Sequence, residues 1–134
     1  MIQVPLAIER TATKVLDCCY RIHTAFGPGL LENAYEKVLA SVLLKEGLAV
    51  ETQKTLPILF EGQMITDAFR VDMIVNQHLL IELKAVSEMK SLFACQTQTY
   101  LRLLNLPLGL LLNFNVEHFR DGVTRIINPM YRAV

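Results

Sequence analysis

A chain of 134 residues with 52% apolar content is enough to bury one sizeable core, so a single domain over residues 1–134 is expected. Its 13 Lys and Arg side chains balance 13 Asp and Glu side chains, which argues against tight nonspecific binding of a polyanion and leaves any such grip to a local basic strip. The chain opens without a signal-peptide pattern, and no apolar run reaches the ~18 residues of a membrane span. Cys18, Cys19 and Cys95 suit neither a disulfide framework nor zinc-ligand spacing, so a soluble cytoplasmic protein with reduced thiols is expected.

The first helix is expected over residues 5–26, where Ile8, Ala12, Val15, Leu16, Cys19 and Ile22 recur near helical spacing until Gly27-Pro28-Gly29 stops them. A second runs from about 30 to 46, ends at Gly47, and carries a stripe of Leu31, Ala34, Tyr35, Val38, Leu39 and Val42. At about 100° per residue, Glu32 falls near the edge of that stripe and Glu36 further toward solvent, which favours Glu32 as a functional acid. The period then shortens to 2, giving a strand over 50–60 that Pro57 places at a sheet edge, and a turn at Glu61-Gly62-Gln63. A hairpin follows over residues 69–86, then a helix over 91–104, with Leu92, Phe93, Leu103 and Leu104 facing inward. Gln96 and Tyr100 fall inside that face, where a glutamine needs polar partners such as a metal, water or substrate. Strands over 108–114 and 123–127 complete the order ααβββαββ, an α/β fold with a mixed β-sheet flanked by helices.

The hairpin carries the chemistry. In FRVDMIV, Phe69, Val71, Met73 and Val75 alternate with Arg70, Asp72 and Ile74, and the second arm is apolar except for Glu82 and Lys84. Charges in strands covered on both faces need a shared partner, and a divalent metal is the simplest. A three-residue turn at Asn76, Gln77 and His78 would pair Val75 with Leu79 and set Asp72 opposite Glu82; a two-residue turn would put the acids on opposite faces. Lys84, two residues beyond Glu82, projects to the same side. Two carboxylates and an ammonium on one strand face make a hydrolytic arrangement.

Four separated stretches resemble the GxxExxY proteins, which are similar to PD-(D/E)XK nucleases and to their RecB-like branch: Gly27-Pro28-Gly29 running into Gly29-Leu30-Leu31-Glu32-Asn33-Ala34-Tyr35, then Glu51-Thr52-Gln53, Ile81-Glu82-Leu83-Lys84-Ala85, and Gly109 to Asn115. Val71 before the aspartate and Ala85 after the lysine depart from the RecB-like pattern without removing a ligand. The resemblance implies a restriction-endonuclease-like fold and hydrolysis of phosphodiesters in nucleic acid, DNA ahead of RNA. It implies Asp72, Glu82 and the Leu83 carbonyl as ligands of Mg²⁺ or Mn²⁺, with Glu32 acting through a metal-held water. Lys84 would stabilise developing charge, and Gln96 with Tyr100 would position the acids or the phosphate backbone.

Bland readings stand beside these. An E-x-K on a strand is often a solvated pair. His23 and His78 suit surface or capping roles and His118 the surface, while Tyr35 and Tyr100 could serve the core through hydrogen-bonded hydroxyls. Arg21, Lys37, Arg102, Arg120 and Arg125 are scattered as ordinary surface charges are. The alternative function is a catalytically weak nucleic-acid-binding or accessory protein retaining the nuclease fold. A homodimer or protein partner would supply the grip that a neutral surface lacks.

Overall fold

The computed structural model describes residues 2–134. Helix α1 (Leu6–Phe26) and helix α2 (Glu32–Lys45) precede strands β1 (Val50–Phe60), β2 (Gln63–Val75) and β3 (Leu79–Lys84). Helix α3 (Ser91–Leu104) then leads to β4 (Leu108–Asn113), a short 3₁₀ turn (Phe119–Gly122) and β5 (Val123–Ile127). The five strands form one sheet in chain order, antiparallel except for the parallel β3–β4 pair that α3 connects. Helices on both faces explain why β3 and β4 are apolar except for Glu82, Lys84 and Asn113, and buried along all but the last residue of β3.

Two clusters of buried side chains fix the layers. On one face Val15, Cys19, Tyr35, Leu39 and Leu43 of the first two helices pack on Met73, Val75, Leu79, Ile81 and Leu83. On the other, Leu101 of α3 packs with Leu80, Leu111 and Ile126. Since β3 alternates, with Leu79, Ile81 and Leu83 toward α1 and α2, Glu82 and Lys84 belong to the α3 side.

The expected element order holds, but β2 starts at Gln63, well before the expected hairpin start at 69, and β3 ends at Lys84, short of 86; three faces also differ. Leu31 caps α2 from outside and is exposed, so the helix buries Tyr35, Leu39 and Leu43 instead of a stripe starting at Leu31. On α3 the inward side is Phe93, Thr97, Tyr100, Leu101 and Leu104, while Leu92 and Leu103 face solvent. Apolar residues surround that helix, and buried Thr97, whose hydroxyl donates to the Phe93 carbonyl, marks a stripe that hydrophobicity alone misses. Phe69 and Val71 join Ile74 in the α3-side cluster, away from Met73 and Val75. The pairs Thr52↔Met73 and Lys54↔Val71 flank Gln53, which takes a left-handed φ of 51° opposite Asp72, and strict alternation breaks there. Pro57 sits on the edge strand at a register shift between Leu56 and Ile58, where three β2 residues, Thr66, Asp67 and Ala68, face it. Among the described residues no helix is long and apolar enough to cross a membrane.

Candidate active site

The β2–β3 ladder runs Val75↔Leu79, Ile74↔Leu80, Met73↔Ile81 and ends. The three-residue loop Asn76-Gln77-His78, with Asn76 and Gln77 in the left-handed region at φ 51° and 59°, sets this register. Asp72 thus comes to lie across from Glu82, where the side chains take over from the ladder. The Asp72 N–H donates to Glu82 Oε2 at 2.7 Å, and the Leu83 N–H donates to Asp72 Oδ2 at 2.9 Å. Each acid commits one oxygen to the opposite strand's backbone, and the strands part at the place where the acids sit.

Glu82 is 6% exposed, and burial, reinforced by the charge of Asp72, pushes its carboxyl up to about 8. Lys84, whose Nζ lies 4.3 Å from the centre of the Phe93 ring, lines the same cleft. That cleft, of about 460 Å³, is walled by Glu32, Asp72, Glu82, Lys84, Gln96 and Tyr100, together with Thr55, Asp67, Phe69 and Arg70. The Tyr100 hydroxyl is raised by burial and by the charges of Glu82 and Asp72, and its ring stacks on Phe69 with centroids 5.0 Å apart.

The six side chains expected to form a site therefore share one cleft, although some sit differently than their spacing suggested. Gln96 is exposed on the cleft wall and lies outside the apolar face of α3. Glu32 is exposed as the first residue of α2, whereas Glu36, one turn further in, is half-buried. Burial raises the Glu36 carboxyl; the amide of Gln53 holds it at 2.6 Å and reaches Asp72 Oδ1 at 3.4 Å. Gln53 does so from φ 51°, a left-handed conformation inside a strand. The four-residue step from Glu32 to Glu36 on one helix face was the available signal for a second acid; the backbone of Gln53 had none.

The helix motif also has a physical account. Gly27 and Gly29 take φ values of 62° and 113°, which suit glycine, and the Tyr35 hydroxyl clamps this loop from the core by donating to the Gly27 carbonyl at 2.6 Å and accepting from the Leu30 N–H at 3.1 Å. The Tyr35 ring is fully buried and stacks on Phe114. Tyr35→Phe, which keeps the ring and removes both bonds, is expected to cost about 2 kcal/mol and lower the melting temperature by roughly 8 °C in a thermal melt. Asn113 accepts from the Val86 N–H and donates to the Val86 carbonyl, fixing the chain as it leaves β3.

The histidines lie elsewhere. His23 is buried, paired with the Val116 carbonyl at 2.7 Å, and so is neither a surface group nor a cap; His78 meets the Thr11 hydroxyl at 2.8 Å, and His118 is exposed. Among the described residues no three His, Cys, Asp or Glu side chains form a metal cage. A metal here would take the free oxygens of two carboxylates and complete its shell with backbone and water oxygens, which suits a hard cation such as Mg²⁺ that keeps several waters. The residues fit such an ion, since its charge would offset the cost of ionising a buried Glu82 beside Asp72.

A family model described as the PD-(D/E)XK nuclease superfamily matches residues 9–126. The chain belongs to the PD-(D/E)XK nuclease superfamily. Its mixed five-stranded sheet flanked by helices is the restriction-endonuclease-like fold. The crystal structure of SSO0001 is similar in fold, with a TM-score of 0.50 and 23% identity over 73% of this chain. That alignment covers 50% of the SSO0001 chain. No curated protein matches. PD-(D/E)XK nucleases generally use divalent metal ions.

Proposed function

We propose that this PD-(D/E)XK protein is a single-domain, metal-dependent nuclease of the GxxExxY group and RecB-like branch that hydrolyses phosphodiester bonds, in DNA rather than RNA. The observation that carries the reading is the reciprocal pairing of Asp72 and Glu82 with each other's strand, with Lys84 in the same cleft. Supporting the branch, Gln96 and Tyr100 of the Q-x-x-x-Y helix line that cleft, and Tyr35 clamps the loop that precedes Glu32.

Asp72, Glu82 and the Leu83 carbonyl would hold Mg²⁺ or Mn²⁺, which when bound supplies Lewis acidity and lowers the pKa of water. The chain's own groups do the rest. Glu32 accepts a hydrogen bond from the attacking water and orients it. Lys84 neutralises charge that builds on the non-bridging phosphate oxygens, and Arg70 can pair with the flanking phosphate. Gln96 and Tyr100 hold the acids and the strand in place. Gln53 tethers Glu36 beside Asp72. The free thiols of buried Cys18 and Cys19 and exposed Cys95 accord with a reducing cytoplasm.

The test is incubation of purified protein with end-labelled single-stranded and duplex DNA and RNA in Mg²⁺, Mn²⁺ or EDTA. Cleavage of DNA in either metal, absent in EDTA, is expected. The formal neutrality of the chain favours a second reading, an accessory protein that binds nucleic acid without useful turnover, acting as a homodimer or with a partner. Binding of DNA with no cleavage of any polymer would select it.

A further inference from the structure

Beside the polar cleft runs a second groove of different chemistry, about 410 Å³ in volume. Ile58 and Ala68 of the ribbon and Leu92 and Leu103 of α3 give it apolar walls, and it shares Phe69, Gln96 and Tyr100 with the cleft. Leu92 is 67% and Leu103 50% exposed, so these leucines stabilise the fold little. The two depressions are thus one continuous surface, charged on the acid side and apolar on the other, divided by an aromatic pair and an amide.

A nucleotide has the same division: an anionic phosphate and, a few bonds away, an apolar π-face with a polar edge. We propose that this groove receives an unpaired nucleobase adjoining the phosphate held at Asp72, Glu82 and Lys84, so that the substrate is single-stranded or locally unpaired nucleic acid. The proposal rests on the nuclease reading for the phosphate position. The volume falls in the range of ~300–1,000 Å³ usual for small-ligand pockets, and Gln96 offers both donor and acceptor to a base edge. A base stacked inside a duplex cannot reach a groove that flanks its own phosphate; it enters only after leaving the stack. Stacking on such platforms tolerates any sequence, because every base has a π-face.

The experiment compares wild type with the Leu92→Ser/Leu103→Ser variant, which alters the groove and none of the acids, Lys84, Gln96 or Tyr100. Binding of a fluorescein-labelled 12-nucleotide DNA single strand is read by anisotropy in EDTA, cleavage of the same strand is read in Mg²⁺, and oligomeric state by sedimentation. The variant keeps Phe69 and Tyr100 and removes apolar wall; about 55 Å² of it at ~25 cal/mol per Å² corresponds to a weakening of roughly tenfold. A weakening of about tenfold in binding, appearing in KM with kcat within twofold of wild type and with the wild-type preference for single strand over duplex diminished, is expected. Groove-dependent binding with no cleavage by wild type would uphold the groove and sink the nuclease reading. Equal binding by wild type and variant, or a variant that changes only from dimer to monomer, would overturn the proposal, the latter by showing that a second copy covers the groove.

Discussion

Glu82→Gln is expected to abolish cleavage and, at the same time, to raise the melting temperature of the metal-free protein at pH 8. The two effects share one cause. Glu82 is buried next to Asp72, and its carboxyl is pushed up to about 8, so the folded state prefers it protonated while the unfolded chain ionises it near 4.5. Between those two values the native state binds more protons than the unfolded state, and stability therefore falls as pH rises from about 4.5 to about 8. The full penalty above that window is about 5 kcal/mol at most, at ~1.4 kcal/mol for each unit. A glutamine retains an oxygen to accept the Asp72 N–H and carries no charge, so it escapes the penalty. The wild type should lose stability across this window without metal and regain it when Mg²⁺ or Mn²⁺ is added, releasing up to one proton per ion near neutral pH. The variant should show a flat profile and no metal-induced shift. Melts from pH 5 to 9, with and without metal, check all of this; a Glu82→Gln variant that melts lower than wild type at pH 8 would contradict it.

Lys84→Met separates the charge from the ligands. Lys84 is half-buried with its Nζ over Phe93, and methionine preserves most of that packing, so stability should change by less than ~1 kcal/mol. The metal-induced rise in melting temperature should persist, because neither carboxylate is touched. The turnover rate should drop by roughly 10²–10³, the usual cost of losing one preorganised group aimed at developing charge, with KM nearly unchanged. A Lys84→Met variant that retains wild-type turnover would show that the ammonium serves packing alone. Loss of the metal shift would instead place Lys84 in the binding of the ion.

The heart of this site is legible in the sequence because it depends on two short-range rules. Alternation along β3 separates Glu82 and Lys84 from the leucines, and an odd loop at Asn76-Gln77-His78 brings Asp72 opposite Glu82. Both are local, and both hold in the structure. What escapes is set by tertiary context. The β1–β2 ladder is interrupted at Gln53 and Asp72, and Phe69 and Val71 leave the face that period 2 assigns them. Helix α3 has apolar side chains all round, and the burial of Thr97 and Leu101 is decided by where β4 lies; Gly109 there leaves Thr97 Cγ2 only 3.2 Å from where a Cβ would stand. The burial of Glu36 depends on Gln53, whose left-handed backbone no residue preference announces. Helical angle alone ranks Glu32 nearer the core than Glu36, yet position along the axis reverses their exposure, since Glu32 is the first residue of α2 and Glu36 lies one turn in.

The most direct test of the account is cleavage of labelled DNA by wild type and by the Glu82→Ala/Lys84→Ala double variant, purified in parallel and compared in Mg²⁺, Mn²⁺ and EDTA. Circular dichroism on the same samples reads the fold. The prediction is metal-dependent cutting by wild type and none by the double variant, with matching spectra. Equal cutting by both proteins would trace the activity to a contaminant or to another site and would contradict the assignment of Asp72, Glu82 and Lys84 as a catalytic centre.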